Sequence, residues 1–147
     1  MKRIYFDKEE TKITKTKGYI EIDDEYIQIY KSMFNLTSRL KSITDVQLML
    51  YLAQISSDYN YFTSNDNLFN NFNNSLVDKK ITKMTFQRCL LNLIEAKIAV
   101  KIGKGQYQLN PFVIWKDALN EREKHITEIL ECNSIKPQYL IEPKLSK

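Results

Sequence analysis

Lys83, Thr85, Gln87, Arg88 and Asn92 lie close together in the chain, and each side chain can donate to a phosphate oxygen or hydrogen-bond the edge of a base. Gln suits the paired donor and acceptor of adenine, and Arg suits the two acceptors of guanine. Lys101 and Lys104 follow at the Gly103-Lys104-Gly105 turn, where a cation can meet a backbone phosphate. This is recognition chemistry, in which no covalent bond is made or broken.

Bond-making chemistry finds far less to work with. His125 is the only histidine, so a histidine pair for a metal is excluded, and the spacing around it predicts an ordinary surface helix position. Cys89 and Cys132 stand apart from any CxxC or Cys/His arrangement, which predicts two reduced thiols without disulfide or zinc. Gly18, Gly103 and Gly105 are too scattered for a phosphate-cradling loop. The nine tyrosines do not signify a DNA-nicking enzyme, because that chemistry needs a metal held by clustered histidines. No catalytic residue, metal site or cofactor is expected, and the chain is read as a non-enzyme.

The elements that must position the polar cluster follow from periodicity. Thr82 can cap a helix whose apolar residues Phe86, Leu90, Leu93, Ile94 and Ile98 recur at helical spacing, leaving the polar residues on the other face. Met84 in this helix can serve either as a contact to a thymine methyl or as core, and core is expected. The pattern then changes to period two, with Ile98, Val100 and Ile102 alternating with Ala99 and Lys101 up to the glycine turn, and Gln106 to Leu109 alternating back. Helix, strand, basic turn and strand is the layout of a winged helix-turn-helix. Charge agrees: residues 79–104 carry seven bases against the single acid Glu95, whereas residues 18–78 carry three bases against eight acids, within a net charge of +4. A solvated lysine-rich face is the bland alternative.

Upstream, residues 1–17 are basic and aperiodic and are read as a flexible arm, either lying along DNA or serving as a disordered leader. Residues 18–30 alternate on both sides of Asp23-Asp24, which predicts a β-hairpin. Met33, Phe34, Leu36 and Leu40 form a short apolar segment. Ser42 and Thr44 can cap a helix from Val46 to Ile55 that is apolar on most sides and should be central to the core. Tyr59 to Thr63 suits a small strand, and Leu68, Phe69, Phe72 and Leu76 are spaced for a short helix among asparagines, whose excess is read as compositional bias. Asp78-Lys79-Lys80 turns the chain. Past Asn110-Pro111, Phe112 to Trp115 should pack back on the domain. A final helix from about Asp117 to Glu131 presents Ala118, Leu119, Arg122, Ile126, Ile129 and Leu130, which suits either a homodimer contact or packing on its own domain. The tail from Asn133 is expected to be extended.

The whole is expected to be an α+β protein: residues 1–17 an arm, 18–117 a winged helix-turn-helix domain with an N-terminal β-hairpin, and 118–147 a C-terminal helix and tail. A hydrophobic fraction of 43% over 147 residues supports a folded core. No apolar run suits a membrane span or secretion signal, which leads to the expectation of a cytoplasmic protein without membrane contact.

Three strings resemble the RepL-type plasmid replication initiator family: GYIEIDDEYIQIYKSMF at Gly18 to Phe34, ITDVQLMLYLAQI at Ile43 to Ile55, and GKGQYQLNPFVIWKD at Gly103 to Asp117. The last is the most specific, with Tyr107, Leu109, Asn110 and Pro111 at the matching positions. The resemblance implies a winged helix that binds double-stranded DNA at an origin and starts replication of a plasmid or phage-type element, with host replication proteins recruited afterwards. It implies no particular base contacts, and it leaves the N-terminal arm and the tail outside the match. Two other readings use the same fold: a transcriptional regulator bound at an operator, and an interaction or virion-associated module that does not bind DNA.

Overall fold

The computed structural model describes residues 2–9, 15–22, 27–117 and 119–140, with residues up to 22 described as backbone. The protein is mixed α and β with small sheets. Strand β1 (Lys2–Glu9) pairs antiparallel with β2 (Lys15–Ile22). After β3 (Gln28–Ile29) come α1 (Lys31–Thr37), α2 (Ile43–Ile55), a 3-10 turn at Asp58–Asn60, β4 (Tyr61–Thr63), α3 (Asp66–Ser75) and α4 (Lys83–Glu95). The chain continues through β5 (Ala99–Gly103), β6 (Gln106–Leu109), β7 (Ile114–Trp115), α5 (Leu119–Glu131) and α6 (Lys136–Tyr139). Strands β4, β6 and β5 form one sheet in that order, and β3 pairs with β7. No helix among the described residues is long and apolar enough to cross a membrane.

Two N-terminal expectations are corrected. Residues 2–9, read as an arm without regular structure, form β1, whose backbone register with β2 runs from Lys2 opposite Ile22 to Glu9 opposite Lys15. The two halves of the expected hairpin around Asp23-Asp24 therefore part company: β2 takes β1 as its partner, and β3 pairs with Ile114–Trp115 across the molecule. The Asp23-Asp24 turn itself lies outside the described residues. A strand's backbone groups must be paired, and periodicity does not say by which segment.

The core is built between α1, α2, α3, α4 and one face of the three-stranded sheet. Met33, Leu36, Leu48, Leu52, Phe72, Phe86, Leu93 and Ile98 are all buried there. Helix α2 starts with a capping box in which Ser42 and Asp45 satisfy each other's backbone N–H. It buries Leu48, Met49, Leu52 and Ala53, while Ile43, Leu50 and Ile55 remain exposed, so it is less enclosed than its composition suggests. Asn65 caps α3 through Leu68 N, and Lys80 closes the other end by donating to the carbonyls of Asn73, Asn74 and Leu76. The remaining asparagines at 67, 70, 71 and 74 are exposed.

The sheet is covered on both faces, which explains why period two fails in β5. Phe62, Tyr107 and Lys101 are in register on the face toward α2 to α4, where Phe62 stacks on Tyr107 at 5.5 Å. Tyr61, Gln108 and Val100 are in register on the other face, where Val100 packs with Ile129 of α5 and Tyr139 of α6. Ile98, Ala99 and Val100 are consequently all buried. Of the tail expected to be extended, the described residues 133–140 instead form α6 and dock, held by Lys97 Nζ to the carbonyls of Pro137 and Leu140 at 2.9 and 2.8 Å.

Candidate functional site

Helix α4 is set by three local devices. Thr82 caps its start by accepting from Thr85 N, and Thr82 and Thr85 share a hydroxyl contact at 3.1 Å. Its apolar stripe Phe86, Cys89, Leu90 and Leu93 enters the core. At its end Ile98 N reaches back to Leu93 O at 3.0 Å, with Lys97 in the left-handed region at φ 62, the geometry of a Schellman close. The chain leaves directly into β5, so α4 and the β5–β6 hairpin are joined by a single defined turn.

The side chains of α4 sort by exposure. Lys83, Gln87 and Arg88 are exposed, Thr85 is half-buried at the cap, and Lys83 pairs with Asp66 at the start of α3. The starts of α3 and α4 flank a cleft of about 240 Å³ lined by Ser64, Asp66, Lys83 and Gln87, where the positive ends of two helix dipoles converge. On the hairpin, Lys101 and Lys104 are exposed, and a bulge between Lys101 and Gly103 precedes the tip. Gly105 takes φ +69 there, and its carbonyl accepts from Ser64 N at 2.9 Å, tying the tip's base to the start of α3. Among the described residues, Lys79, Arg88, Lys101 and Lys104 form no ion pair, whereas Lys80 and Lys97 are committed to carbonyls within the fold.

Asn92 departs from the expected recognition surface. It is 7% exposed and donates through Nδ2 to both oxygens of Asp45 at 3.2 Å. Asp45 also accepts from the N–H groups of Lys41 and Ser42 at 2.9 and 3.1 Å. Burial pushes its carboxyl up, but hydrogen bonds from Cys89, Lys41, Asn92 and Ser42 outweigh that and hold it below the ordinary aspartate value of 3.8. The Cys89 thiol is pushed up to about 12 by burial and by donating to Asp45. Asn92 is therefore a brace between α2 and α4. Its place was readable in the spacing, since it stands three residues after Cys89 on the flank of the apolar stripe.

Met84 is corrected in the opposite sense. It is 70% exposed, not in the core, and Leu91 two turns further along is 58% exposed. At about 100° per residue both lie opposite Phe86 and Leu93, a signal available in the sequence.

His125 is corrected as well. Its side chain is only 14% exposed, and its ring lies against Tyr59, Tyr61 and Trp115 at centroid distances of 5.4, 6.2 and 6.1 Å. Fully buried Gln108 organises this side: its amide nitrogen donates to Tyr59 O at 2.8 Å and lies 2.7 Å from His125 Nε2, while its oxygen accepts from Tyr139 OH at 2.6 Å. A carbonyl cannot donate, so Tyr59 O fixes the amide orientation and His125 Nε2 must accept. Asn110 adds bonds to the carbonyls of Lys97 and Tyr139, both at 2.8 Å, and Arg122 lies 3.5 Å over the Tyr30 ring. The hairpin carrying Lys101 and Lys104 is thus pinned from behind by α5 and α6. Of the alternatives for the last helix, packing on its own chain uses Ile129, while Leu119 and Leu130 stay exposed. Among the described residues no group of three histidine, cysteine or acidic side chains is placed to hold a metal. Comparison with protein-family models, with curated proteins and with solved structures finds no match for this chain.

Proposed function

We propose that the chain is a winged-helix protein that binds duplex DNA in a sequence-dependent way, with α4 in the major groove and the β5–β6 hairpin as the wing. The observation that carries this reading is the joining of the exposed face of α4, with Lys83, Gln87 and Arg88, to a hairpin that exposes Lys101 and Lys104. The element order supports it: α2, β4, α3, α4 and a hairpin, with β4 completing the sheet beside β6, is the order of a winged helix-turn-helix. Replication initiation is the proposed role, and its support is the resemblance of Gly103 to Asp117 and the two upstream strings to RepL-type initiators.

Titrating duplex DNA against the full chain at several salt concentrations tests the binding. Affinity should fall steeply with salt, because each phosphate contact releases condensed cations. Mapping bound DNA in cells then separates roles: occupancy of an origin supports an initiator, and occupancy upstream of promoters replaces it with a regulator.

A further inference from the structure

The centre of the exposed face of α4 is apolar. At about 100° per residue, Met84 and Leu91 stand one above the other two turns apart, with Gln87 on one side and Arg88 on the other. They are 70% and 58% exposed, and neither belongs to a core cluster. Two large apolar side chains flanked by a hydrogen-bonding amide and a guanidinium contribute burial energy only when a partner covers them.

Resting on the DNA-binding reading above, we infer that Met84 and Leu91 read the C5-methyl groups of thymines in the major groove, and so select the site together with Gln87 and Arg88. The occupant is fixed by charge and by shape. Arg88, Lys101 and Lys104 are exposed and without an ion pair among the described residues, while Glu95, exposed at the far end of the same stripe, is offset by Lys41 at 3.5 Å, so the start of α4 and the hairpin beside this stripe suit a polyanion. The thymine methyl is the apolar feature that a polyanionic duplex offers on the major-groove floor. Met84 brings an unbranched, polarizable thioether that adapts to such a small target. Seven residues of helix span about 10.5 Å, or about three base pairs. The thymines should therefore fall within one short stretch of the site, beside the bases contacted by Gln87 and Arg88.

The test starts from duplexes selected by the full chain from a randomised pool. The selected sites should share thymines within a stretch of about three base pairs. Replacing each by uracil, which deletes only the methyl group, should weaken binding roughly four-fold per methyl. Met84→Ala and Leu91→Ala, which leave the core untouched, should each abolish the effect of uracil at one position while retaining the salt dependence. Uracil without effect on the unaltered protein, or with the same effect on both variants, overturns the inference. So does concentration-dependent self-association that Met84→Ala abolishes, because the stripe would then be an interface between copies. If no duplex binds in a salt-dependent way, the DNA-binding reading fails with it; if Arg88→Ala weakens binding but uracil is without effect, only the thymine reading fails.

Discussion

Asn92 donates to both carboxylate oxygens of Asp45, so the residue that closes the capping box of α2 is also the point at which α4 is fastened to it. The orientation of the exposed face of α4 depends on this joint as much as on the apolar stripe. Asn92→Ala should cost about 1 to 3 kcal/mol, because a buried carboxylate loses a partner it cannot replace with water. Asp45→Ala, which also removes the reciprocal half of the capping box, should cost about 3 kcal/mol. Urea denaturation checks both, and an Asn92→Ala variant within about 0.5 kcal/mol of the parent would show that the joint bears no load.

The same carboxylate predicts an acid dependence. Its pKa is lower in the folded state, so its contribution to stability is complete above the ordinary value of 3.8 and is lost as pH falls through the folded value below it. The stability gap between the parent and Asp45→Asn should therefore hold near neutral pH and narrow below about pH 4. A gap that widens on acidification would reverse the assigned direction.

The two cysteines should separate cleanly toward alkylating reagents. Cys89 is buried and pushed up to about 12, leaving it an unreactive thiol. Cys132 is accessible and lowered by hydrogen bonding from Ser134 and from the backbone of Ile135. Iodoacetamide on the native protein should modify Cys132 alone, as read by peptide mass spectrometry; labelling of Cys89 at a similar rate would contradict its place between α2 and α4.

On the opposite face, Gln108→Leu should destabilise by about 2 to 4 kcal/mol, since it strands Tyr59 O, His125 Nε2 and Tyr139 OH at once. Ending the chain after Asp117 removes Ile129 and Tyr139 and uncovers Val100. The expected result is aggregation, visible in sedimentation, and a soluble, cooperatively folding truncation would show that α5 and α6 are dispensable.

Among the proposed DNA contacts, Arg88→Ala should reduce discrimination between selected and random duplex by about 1 to 3 kcal/mol. Replacing Lys101 and Lys104 together by alanine should instead weaken all duplexes alike and lower the slope of log affinity against log salt by about 2. An unchanged slope would remove the hairpin from the interface.

How far the chain could be read before its structure depended on the range of the forces involved. The cap at Thr82, the apolar stripe of α4, the turn at Gly105 and the small strand near Phe62 are local, and spacing and turn chemistry disclosed them. The partner of β2 and the partner of β3 are set by segments far away in sequence, and alternation alone assigned both wrongly. Asn92 and His125 went astray for a related reason. Polar residue types suggest solvent, but Asp45 and Gln108, distant in sequence, supply buried partners. The exposure of Met84 follows from its angular position on the helical wheel, opposite Phe86 and Leu93, and not from its apolar type.

The pairing of Gln108 with His125 also gives the protein a spectroscopic handle. Since the amide nitrogen of Gln108 is a donor, Nε2 is the ring nitrogen that accepts from it, and Nδ1 lies on the side that faces Glu128 at 3.6 Å. His125 is the only histidine in the chain, so nitrogen-15 labelling of histidine yields one ring system without assignment. Its two nitrogen resonances report in real time whether α5 is seated on the back of the sheet, and whether that seating changes when the opposite face is occupied.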